Sequence, residues 1–199
     1  MPTKPKTNYK GVEHEIQERD QFQTPSYALD PLIPYIKGRF DRIWESACGQ
    51  GYMARNLRKH GFTVFATDLA MGVNYFNTKP EFYGSHVLQV TNPPFSLKYK
   101  WIKHACALGP FALLVPSDVL FAGKYCQPLI KEFGLEMLIP DKRINYKTPK
   151  KGWNESSAQM HTSWLTHGLH IGRLVTFVEI HPRPEEEIEQ ETTTYEVAA

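Results

Sequence analysis

The sequence predicts an α/β fold with a mostly parallel, twisted sheet that ends in a C-terminal antiparallel hairpin. Between residues 21 and 181, short apolar runs of strand length alternate with helical patterns. The loop Glu45-Ser46-Ala47-Cys48-Gly49-Gln50-Gly51 joins a predicted strand to a predicted helix, and Asn92-Pro93-Pro94-Phe95 follows a later apolar run. Loops of this kind at strand ends are typical of a Rossmann-like sheet.

The composition favours one globular domain over residues 21–181. The chain has 199 residues, of which 41% are hydrophobic and 13% aromatic. It contains neither the run of about 20 apolar residues that a membrane span needs nor an apolar signal segment at its N-terminus. The three cysteines, Cys48, Cys106 and Cys126, have neither disulfide nor metal spacing. We therefore expect a cytoplasmic protein without a membrane partner.

The two ends of the chain differ from the body. Residues 1–20 are polar with lysine and proline, which predicts a flexible arm, and residues 182–199 predict an acidic, disordered tail. The tail carries six glutamates and one arginine, so a net charge of +2 leaves +7 on the rest of the chain. A basic body is typical of proteins with a polyanionic partner, although ordinary solubility charge gives the same balance.

Hydrophobic periodicity predicts the elements of the first half. A helical stripe over residues 25–37 is interrupted by Pro31 and Pro34. The helix over residues 52–60 ends at Gly61, because glycine favours the left-handed conformation that follows a helix. Strands are predicted on either side of this helix, over residues 41–47 and 63–67.

The second half continues the same alternation. Residues 70–83 and 144–160 have no regular pattern, and the latter stretch is polar and basic. The predicted elements are strands over 86–91, 111–116 and 135–139, helices over 97–108 and 122–133, and a closing hairpin from 161–169 and 174–180.

The loop from Glu45 to Gly51 is the first candidate ligand site. Its glycines and small side chains let the backbone approach a ligand closely, and parallel sheets bind ligands at the carboxyl ends of their strands. A G-x-G alone is weak evidence, because the third glycine of the dinucleotide fingerprint is missing. A purely structural turn is the alternative.

Asp68 and Thr24 each allow two interpretations. Asp68 ends the strand after the glycine loop, where an acid accepts hydrogen bonds from ribose hydroxyls, but an aspartate there also caps helices. Thr24 precedes Pro25, and this pair is typical of a helix start with threonine as the cap.

The tetrapeptide Asn92-Pro93-Pro94-Phe95 is the most informative motif. Its two prolines end the preceding strand and remove two backbone donors, which leaves carbonyl groups and the Asn92 side chain as acceptors. An exocyclic amino group on a planar ring needs two acceptors, and an aromatic residue offers a face on which the ring stacks. A rigid strand-to-helix turn with a satisfied asparagine is the alternative.

Taken in order, F-x-T-P, E-x-A-C-G-x-G, Asp68 and NPPF resemble the class I S-adenosylmethionine-dependent methyltransferases. More narrowly, they are similar to the N6-adenine DNA methyltransferases with an NPPF motif, over about residues 21–180. The resemblance implies the class I methyltransferase fold, S-adenosyl-L-methionine as cofactor, and direct in-line transfer to adenine N6 in DNA. RNA adenine-N6 or guanine-N2 methyltransferases, protein glutamine methyltransferases and a non-catalytic binding module remain open.

The resemblance also implies residue roles. Asn92, Pro93, Pro94 and Phe95 would be catalytic, with the Asn92 oxygen and the Pro93 carbonyl accepting hydrogen bonds from the amino group. Asn74 stands where the family commonly has an aspartate that reads the adenine of the cofactor. No metal ligand is implied, and His161, His167 and His170 match no strong metal spacing. The implied cofactor-binding residues are Phe22, Thr24, Glu45, Cys48, Gly49, Gly51, Asp68 and Asn74.

A basic loop over residues 142–151 is the expected contact with a nucleic-acid backbone. A solvated charged loop is the alternative. A base within a duplex has to flip out to reach such a pocket, so we expect Phe95 to stack on it and Tyr146 or Trp164 to provide a second ring. The oligomeric state stays open between a monomer and a weak dimer. The expected nucleic-acid-binding residues are Lys142, Arg143, Tyr146, Lys147, Lys150, Lys151 and Trp164.

Overall fold

The structure is a computed structural model of the chain. It describes residue 20, residues 22 to 148, residues 152 and 153, and residues 161 to 182. The expected N-terminal arm up to residue 19 and the acidic tail from residue 183 lie outside the described residues. So do Lys150 and Lys151 of the expected nucleic-acid contact.

Seven strands form one sheet in the order β2-β1-β3-β4-β8-β5-β9, and β6 and β7 form a separate two-stranded ribbon. In the order of the chain, the strands are β1 (Arg42–Glu45), β2 (Thr63–Ala66), β3 (Val87–Thr91), β4 (Phe111–Pro116), β5 (Glu136–Pro140), β6 (Lys147–Thr148), β7 (Gly152–Trp153), β8 (Thr162–His167) and β9 (Val175–Val178).

The pairing of the strands confirms the predicted fold class, a Rossmann-like fold with a mostly parallel sheet. Strand β1 pairs in parallel with β2 and β3, β3 pairs in parallel with β4, and β5 does so with β9. Strand β8 alone in this sheet is antiparallel to its neighbours, and it lies between β4 and β5.

The predicted hairpin between the last two strands is wrong. Both strands exist, but β5 lies between them, so they do not pair with each other. Every residue of β8 except His167 is buried, whereas Phe177 of β9 is exposed. A buried strand has to pair along both of its edges to satisfy its backbone groups. Strand β8 therefore takes an interior position, and β9 takes the edge.

Helices cover both faces of the sheet. They are α1 (Ile33–Ile36), α2 (Tyr52–Lys59), α3 (Lys98–Leu108) and α4 (Gln127–Phe133). Leu57 of α2 packs in the same core cluster as Ile43 of β1, and Trp101 of α3 packs in the opposite cluster with Trp44. Neighbouring residues of β1 thus enter different cores, as the two-residue period of a strand requires. No helix in the described ranges is long and apolar enough to cross a membrane.

Two predicted helices differ in length from those observed. The helix predicted over residues 122–133 begins only at Gln127, because Pro128 lacks an N–H and is favoured in the first turn. The stripe over residues 25–37 is divided into the 3-10 turn Ser26–Leu29 and α1. Helix α2 ends as predicted, with Gly61 at a φ of +93°.

The strand order places the candidate site segments side by side. The chain leaves β1 for β2 on one side and returns to β3 on the other side of β1. The loops after β1 and β3 are therefore neighbours at the carboxyl edge of the sheet, and such a reversal of strand order is where Rossmann-like sheets bind ligands.

Trp164 and Tyr146 belong to the core. Trp164 is completely buried, and its indole Nε1 donates a hydrogen bond of 2.8 Å to the Ala28 carbonyl. The Tyr146 hydroxyl is hydrogen-bonded to Thr162 at 2.7 Å. Neither ring is open to a base, which corrects the expectation that one of them provides a second stacking surface.

Replacing Trp164 with phenylalanine tests this core role. The variant leaves the buried Ala28 carbonyl without its partner and creates a cavity, so we expect the free energy of unfolding to fall by about 2 kcal/mol. Urea denaturation measures it, with Phe177→Leu on the exposed edge strand as the control, expected within about 0.5 kcal/mol of wild type. Equal stability of the two variants would contradict the burial of Trp164.

Candidate active site

A cavity of about 650 Å³ lies at the carboxyl edge of the sheet, where the loops after β1 and β3 meet. Four stretches of chain contribute residues to its wall: Asp20 with 22–24, 45–53, 68–76 and 92–101. Lys147, the first residue of β6, completes the wall. Gly51, Pro93 and Phe95 do not line the cavity. The sequence-predicted residues on the wall are Phe22, Thr24, Glu45, Cys48, Gly49, Asp68, Asn74, Asn92, Pro94 and Lys147.

Asn92 lines this cavity and carries a buried hydrogen-bond acceptor. Its Nδ2 donates a hydrogen bond of 3.1 Å to Thr24 Oγ1. Its Oδ1 is buried and has no hydrogen-bond partner among the described residues. A buried acceptor without a partner costs free energy. The Asn92 oxygen is therefore suited to accept a hydrogen bond from an N–H group of a ligand.

Thr24 orients Asn92 instead of capping a helix. The N-cap of the turn Ser26–Leu29 is Pro25, which provides no side-chain cap. The Thr24 hydroxyl is buried and accepts the hydrogen bond from Asn92. The helix-cap interpretation of Thr24 is therefore wrong, because a partner distant in the sequence takes its oxygen.

The glycine loop is held between two side chains. The Gln23 Oε1 accepts a hydrogen bond from Gln50 N at 3.0 Å, and Asp68 Oδ2 accepts one from Gly49 N at 3.0 Å. Gly49 has a φ of +52°, and a Cβ there would lie 2.9 Å from the Gln23 amide. A side chain at position 49 would therefore be strained by the backbone conformation and would have to displace the Gln23 amide. The sequence does not predict Gln23 as a site residue, because it occupies the variable position of F-x-T-P.

Both interpretations of Asp68 agree with the geometry. Its Oδ1 accepts a hydrogen bond of 2.9 Å from Ala70 N and so caps the turn Leu69–Met71. The carboxylate also lines the cavity. A carboxylate has about four acceptor positions, so the cap and the Gly49 contact leave acceptor capacity for ligand hydroxyls.

A flat apolar wall closes the cavity near Asn74. Tyr75 stacks on Trp101 with a centroid distance of 3.9 Å and an interplanar angle of 6°, and Leu97 lies beside them on the wall. Asn74 Oδ1 accepts a hydrogen bond of 3.0 Å from Phe76 N. This oxygen therefore has a structural partner already. Leu97 and Trp101 were missed, although their spacing of four residues indicates one shared helix face.

Phe22 lines the cavity, whereas Phe95 does not. Phe22 stacks on Tyr146 at 5.8 Å and meets Phe95 edge to face at 6.4 Å. Phe95 is only 7% exposed and belongs to the core. This corrects the expectation that Phe95 itself offers a face to a base, because the turn after the prolines directs its side chain inward.

The acid and the thiol at the glycine loop are held neutral. Burial raises the pKa of Glu45 to about 8 against the weaker opposing effect of Arg58, and Glu45 Oε2 has no partner among the described residues. Burial and the nearby Glu45 raise the pKa of Cys48 to about 11. Cys48 is thus protonated at neutral pH and unsuited to nucleophilic attack. The Ser46 hydroxyl, also on the wall, is a further buried polar group without a described partner.

The residues expected to contact a nucleic-acid backbone do not all lie at the cavity. Lys147 lies on the cavity wall, where its Nζ donates to the Tyr52 hydroxyl at 3.0 Å. Lys142 is tied to the fold, since its Nζ donates to the Ile180 carbonyl and lies 3.4 Å from Asp141. Arg143 is exposed, away from the cavity wall. In the described ranges, no group of three or more acidic, histidine or cysteine side chains is arranged to hold a metal ion.

A further contact joins the start of the described chain to the NPPF turn. The Asp20 carboxylate accepts hydrogen bonds from Ser96 Oγ at 2.7 Å and from Ser96 N at 3.1 Å. The backbones of Gln23 and Lys147 are paired as well. Asp20 and Gln23 therefore contact the loop after β3 and the start of β6, respectively. No local sequence pattern predicts these contacts.

Comparison with known proteins leaves the family open. No protein-family model and no curated protein matches the sequence. Among solved structures, a Pyrococcus horikoshii protein provisionally described as an RNA methyltransferase matches with a TM-score of 0.49 and 12% identity, over 75% of this chain and 86% of that chain. At this level of similarity, the function has to be inferred from the site itself.

Replacing Glu45 with glutamine tests the buried carboxyl group. Because its pKa rises from 4.5 to about 8 on folding, its stabilising effect is complete below pH 4.5 and is lost as the pH rises through about 8. Wild type should lose stability relative to Glu45→Gln across this window, by about 5 kcal/mol at most. Urea denaturation of both proteins over a pH series measures it, and parallel profiles would contradict the raised pKa.

Proposed function

We propose that this protein is an S-adenosylmethionine-dependent methyltransferase that acts on the N6 amino group of adenine in DNA. The observation that carries the proposal is the Asn92 oxygen, which is buried, unpartnered and oriented by Thr24 on the wall of the cavity. The next two residues are prolines, which donate no backbone hydrogen bond. The turn is thus rich in acceptors, which suits an amino group as its ligand.

The residues on the cavity wall fit the proposed cofactor. Its ribose hydroxyls would find acceptors in Asp68, and its methionine end would find polar partners in Glu45 and Ser46, which have unpaired buried atoms. Gly49 lines the cavity, and its backbone can lie close to a ligand because it carries no side chain. The flat wall formed by Tyr75 and its neighbours suits an adenine ring. The volume of about 650 Å³ lies within the range of about 300–1,000 Å³ that is usual for ligand pockets.

When bound, S-adenosylmethionine supplies an electrophilic methyl group. The task of the protein is to prepare the amino nitrogen, whose lone pair is delocalised into the adenine ring. A hydrogen bond from the amino group to Asn92 Oδ1 would favour a tetrahedral nitrogen and localise that lone pair. An amide oxygen is a weak base, so Asn92 acts by orientation and polarisation, and the proton that the methylated nitrogen loses goes to solvent. The protonated Cys48 takes no part as a nucleophile.

The concave site requires the adenine to leave the base stack. A base inside a duplex cannot reach a cavity of this shape without being flipped out. Phe22 offers a ring on the cavity wall, and Tyr146 supports it from the core. Stacking on an aromatic ring contributes about 1–3 kcal/mol per base. We therefore assign to Phe22 the stacking role that the sequence suggested for Phe95.

Incubation with labelled S-adenosylmethionine and a nucleic acid tests the proposed reaction. Unpaired DNA, duplex DNA and RNA of matching sequence are offered separately and then digested to nucleosides. We expect label in N6-methyl-2′-deoxyadenosine. Label only in RNA nucleosides would contradict the DNA substrate. Tight cofactor binding without transfer to any substrate would indicate a binding module.

Asn92→Ala separates catalysis from cofactor binding. Loss of a preorganised polar group at a reacting centre lowers kcat by about 10²–10³-fold, whereas the affinity for the cofactor should hardly change. Asp68→Ala is the matched variant and should weaken cofactor binding first. Calorimetric titration and single-turnover assays measure the two effects, and a fully active Asn92→Ala would contradict the mechanism.

Thr24→Val tests the orientation of Asn92. Valine keeps the shape of threonine but cannot accept the hydrogen bond from Asn92, so we expect kcat to fall about tenfold, the loss of roughly one hydrogen bond, with little change in KM for the cofactor. Thr24→Ser should restore kcat. An unchanged kcat in Thr24→Val would show that Asn92 is oriented in another way.

A further inference from the structure

Phe121 and Tyr125 are two exposed aromatic side chains that the proposed reaction does not use. Phe121 is 84% exposed and Tyr125 is 56% exposed. Tyr125 stacks on the half-buried Tyr99, with ring centroids 5.0 Å apart and planes at 21°. Contiguous exposed apolar groups commonly mark a binding surface, and the stacked pair of Tyr99 and Tyr125 is contiguous.

This surface lies on the same edge of the sheet as the cavity. Residues 117–126 follow β4, and α3 begins with Lys98 directly after the NPPF turn. Strands β3 and β4 are parallel neighbours, so their carboxyl ends meet at one edge. Ser96 and Leu97, on the cavity wall, are next to Lys98 in the chain. We call Lys98, Tyr99, Phe121, Lys124 and Tyr125 the aromatic surface.

Two lysines lie beside the rings of the aromatic surface. Lys98 Nζ lies 4.9 Å from the centroid of the Tyr99 ring, and Lys124 Nζ lies 5.6 Å from that of Tyr125. From residue 96 to residue 126 there are four lysines against one acidic residue, Asp118. A polyanion is therefore attracted to this stretch of the surface.

Exposed rings beside lysines match the chemistry of an unpaired nucleic-acid strand. Proteins that bind single strands combine a basic track for the phosphates with aromatic side chains on which bases stack. A duplex keeps its base faces stacked inside the helix and offers only phosphates and base edges to such a surface. The exposed rings thus favour an unpaired strand over a duplex.

We propose that the aromatic surface binds an unpaired stretch of DNA next to the target adenine. Bases of this stretch stack on Phe121 and Tyr125, while Lys98 and Lys124 lie near its phosphates. The proposal rests on the proposed function, which supplies DNA as the substrate. It predicts that the protein prefers unpaired DNA to duplex DNA.

Fluorescence anisotropy with labelled oligothymidylate tests this surface separately from the cavity. The probe contains no adenine, so capture of a target base does not contribute to its binding. We expect Phe121→Ala and Tyr125→Ala each to lower the affinity about fivefold or more, since each removes a stacking contact. The matched control is Phe82→Ala. Phe82 is 76% exposed and lies in the turn Pro80–Tyr83, which precedes β3 and so belongs to the opposite edge of the sheet.

Three results would overturn the proposal. The first is unchanged binding of oligothymidylate by Phe121→Ala and Tyr125→Ala, or a loss no larger than that in Phe82→Ala. The second is tighter binding of duplex DNA than of the unpaired probe. The third is tighter binding of oligouridylate with the same dependence on the aromatic residues, which would make RNA the occupant.

Different results would contradict the proposed role of the aromatic surface and the proposed function. Asn92→Ala should bind oligothymidylate like wild type although it loses methyl transfer. Suppose that wild type transfers methyl groups to DNA but the aromatic variants bind the probe as well as wild type does. This result would support the proposed function and contradict the proposed role of the aromatic surface. Probe binding that depends on the aromatic residues, without methyl transfer to any nucleic acid, would support the surface and contradict the function.

Discussion

The hydrogen bond from Asn92 Nδ2 to Thr24 Oγ1 is the interaction on which the site depends. It spans 68 positions of the sequence and joins the segment before the first helix to the turn after β3. By fixing the direction of the amide, it leaves Oδ1 as an unpaired acceptor at the cavity. The reversal of strand order beside β1 makes this possible, because it brings the turn next to the glycine loop. Asp20 strengthens the same connection through Ser96.

Several buried polar atoms at the cavity lack a hydrogen-bond partner among the described residues, and this lowers the stability of the folded protein. Glu45, Ser46 and Asn92 each hold a buried polar atom without a described hydrogen bond. Such atoms destabilise a folded protein, and they are expected where a ligand provides the missing partners. The raised pKa of Glu45 reports the same cost, since burial favours its neutral form. A polar ligand that forms hydrogen bonds with these atoms would therefore stabilise the folded protein.

The sequence predicts the local features of the fold well because they depend on local periodicity. It places the seven strands of the main sheet and the helices α2 and α3 to within a few residues, but it does not predict the ribbon of β6 and β7. The pairing of β8 is not predictable in this way, since it depends on which of the last two strands is more deeply buried. Local periodicity also does not predict which side chains face the cavity. An aromatic residue is visible in the sequence, but burial decides that Phe22 faces the cavity while Phe95 and Trp164 do not.

A crystal structure of the protein with S-adenosylhomocysteine and an adenine-containing oligonucleotide would test the central claim most directly. The quantity of interest is the distance from Asn92 Oδ1 to the adenine N6 nitrogen. We expect a hydrogen bond of about 3 Å, with the cofactor product against Asp68 and the glycine loop. A cofactor outside this cavity, or an Asn92 oxygen bonded to another group of the protein, would contradict the account.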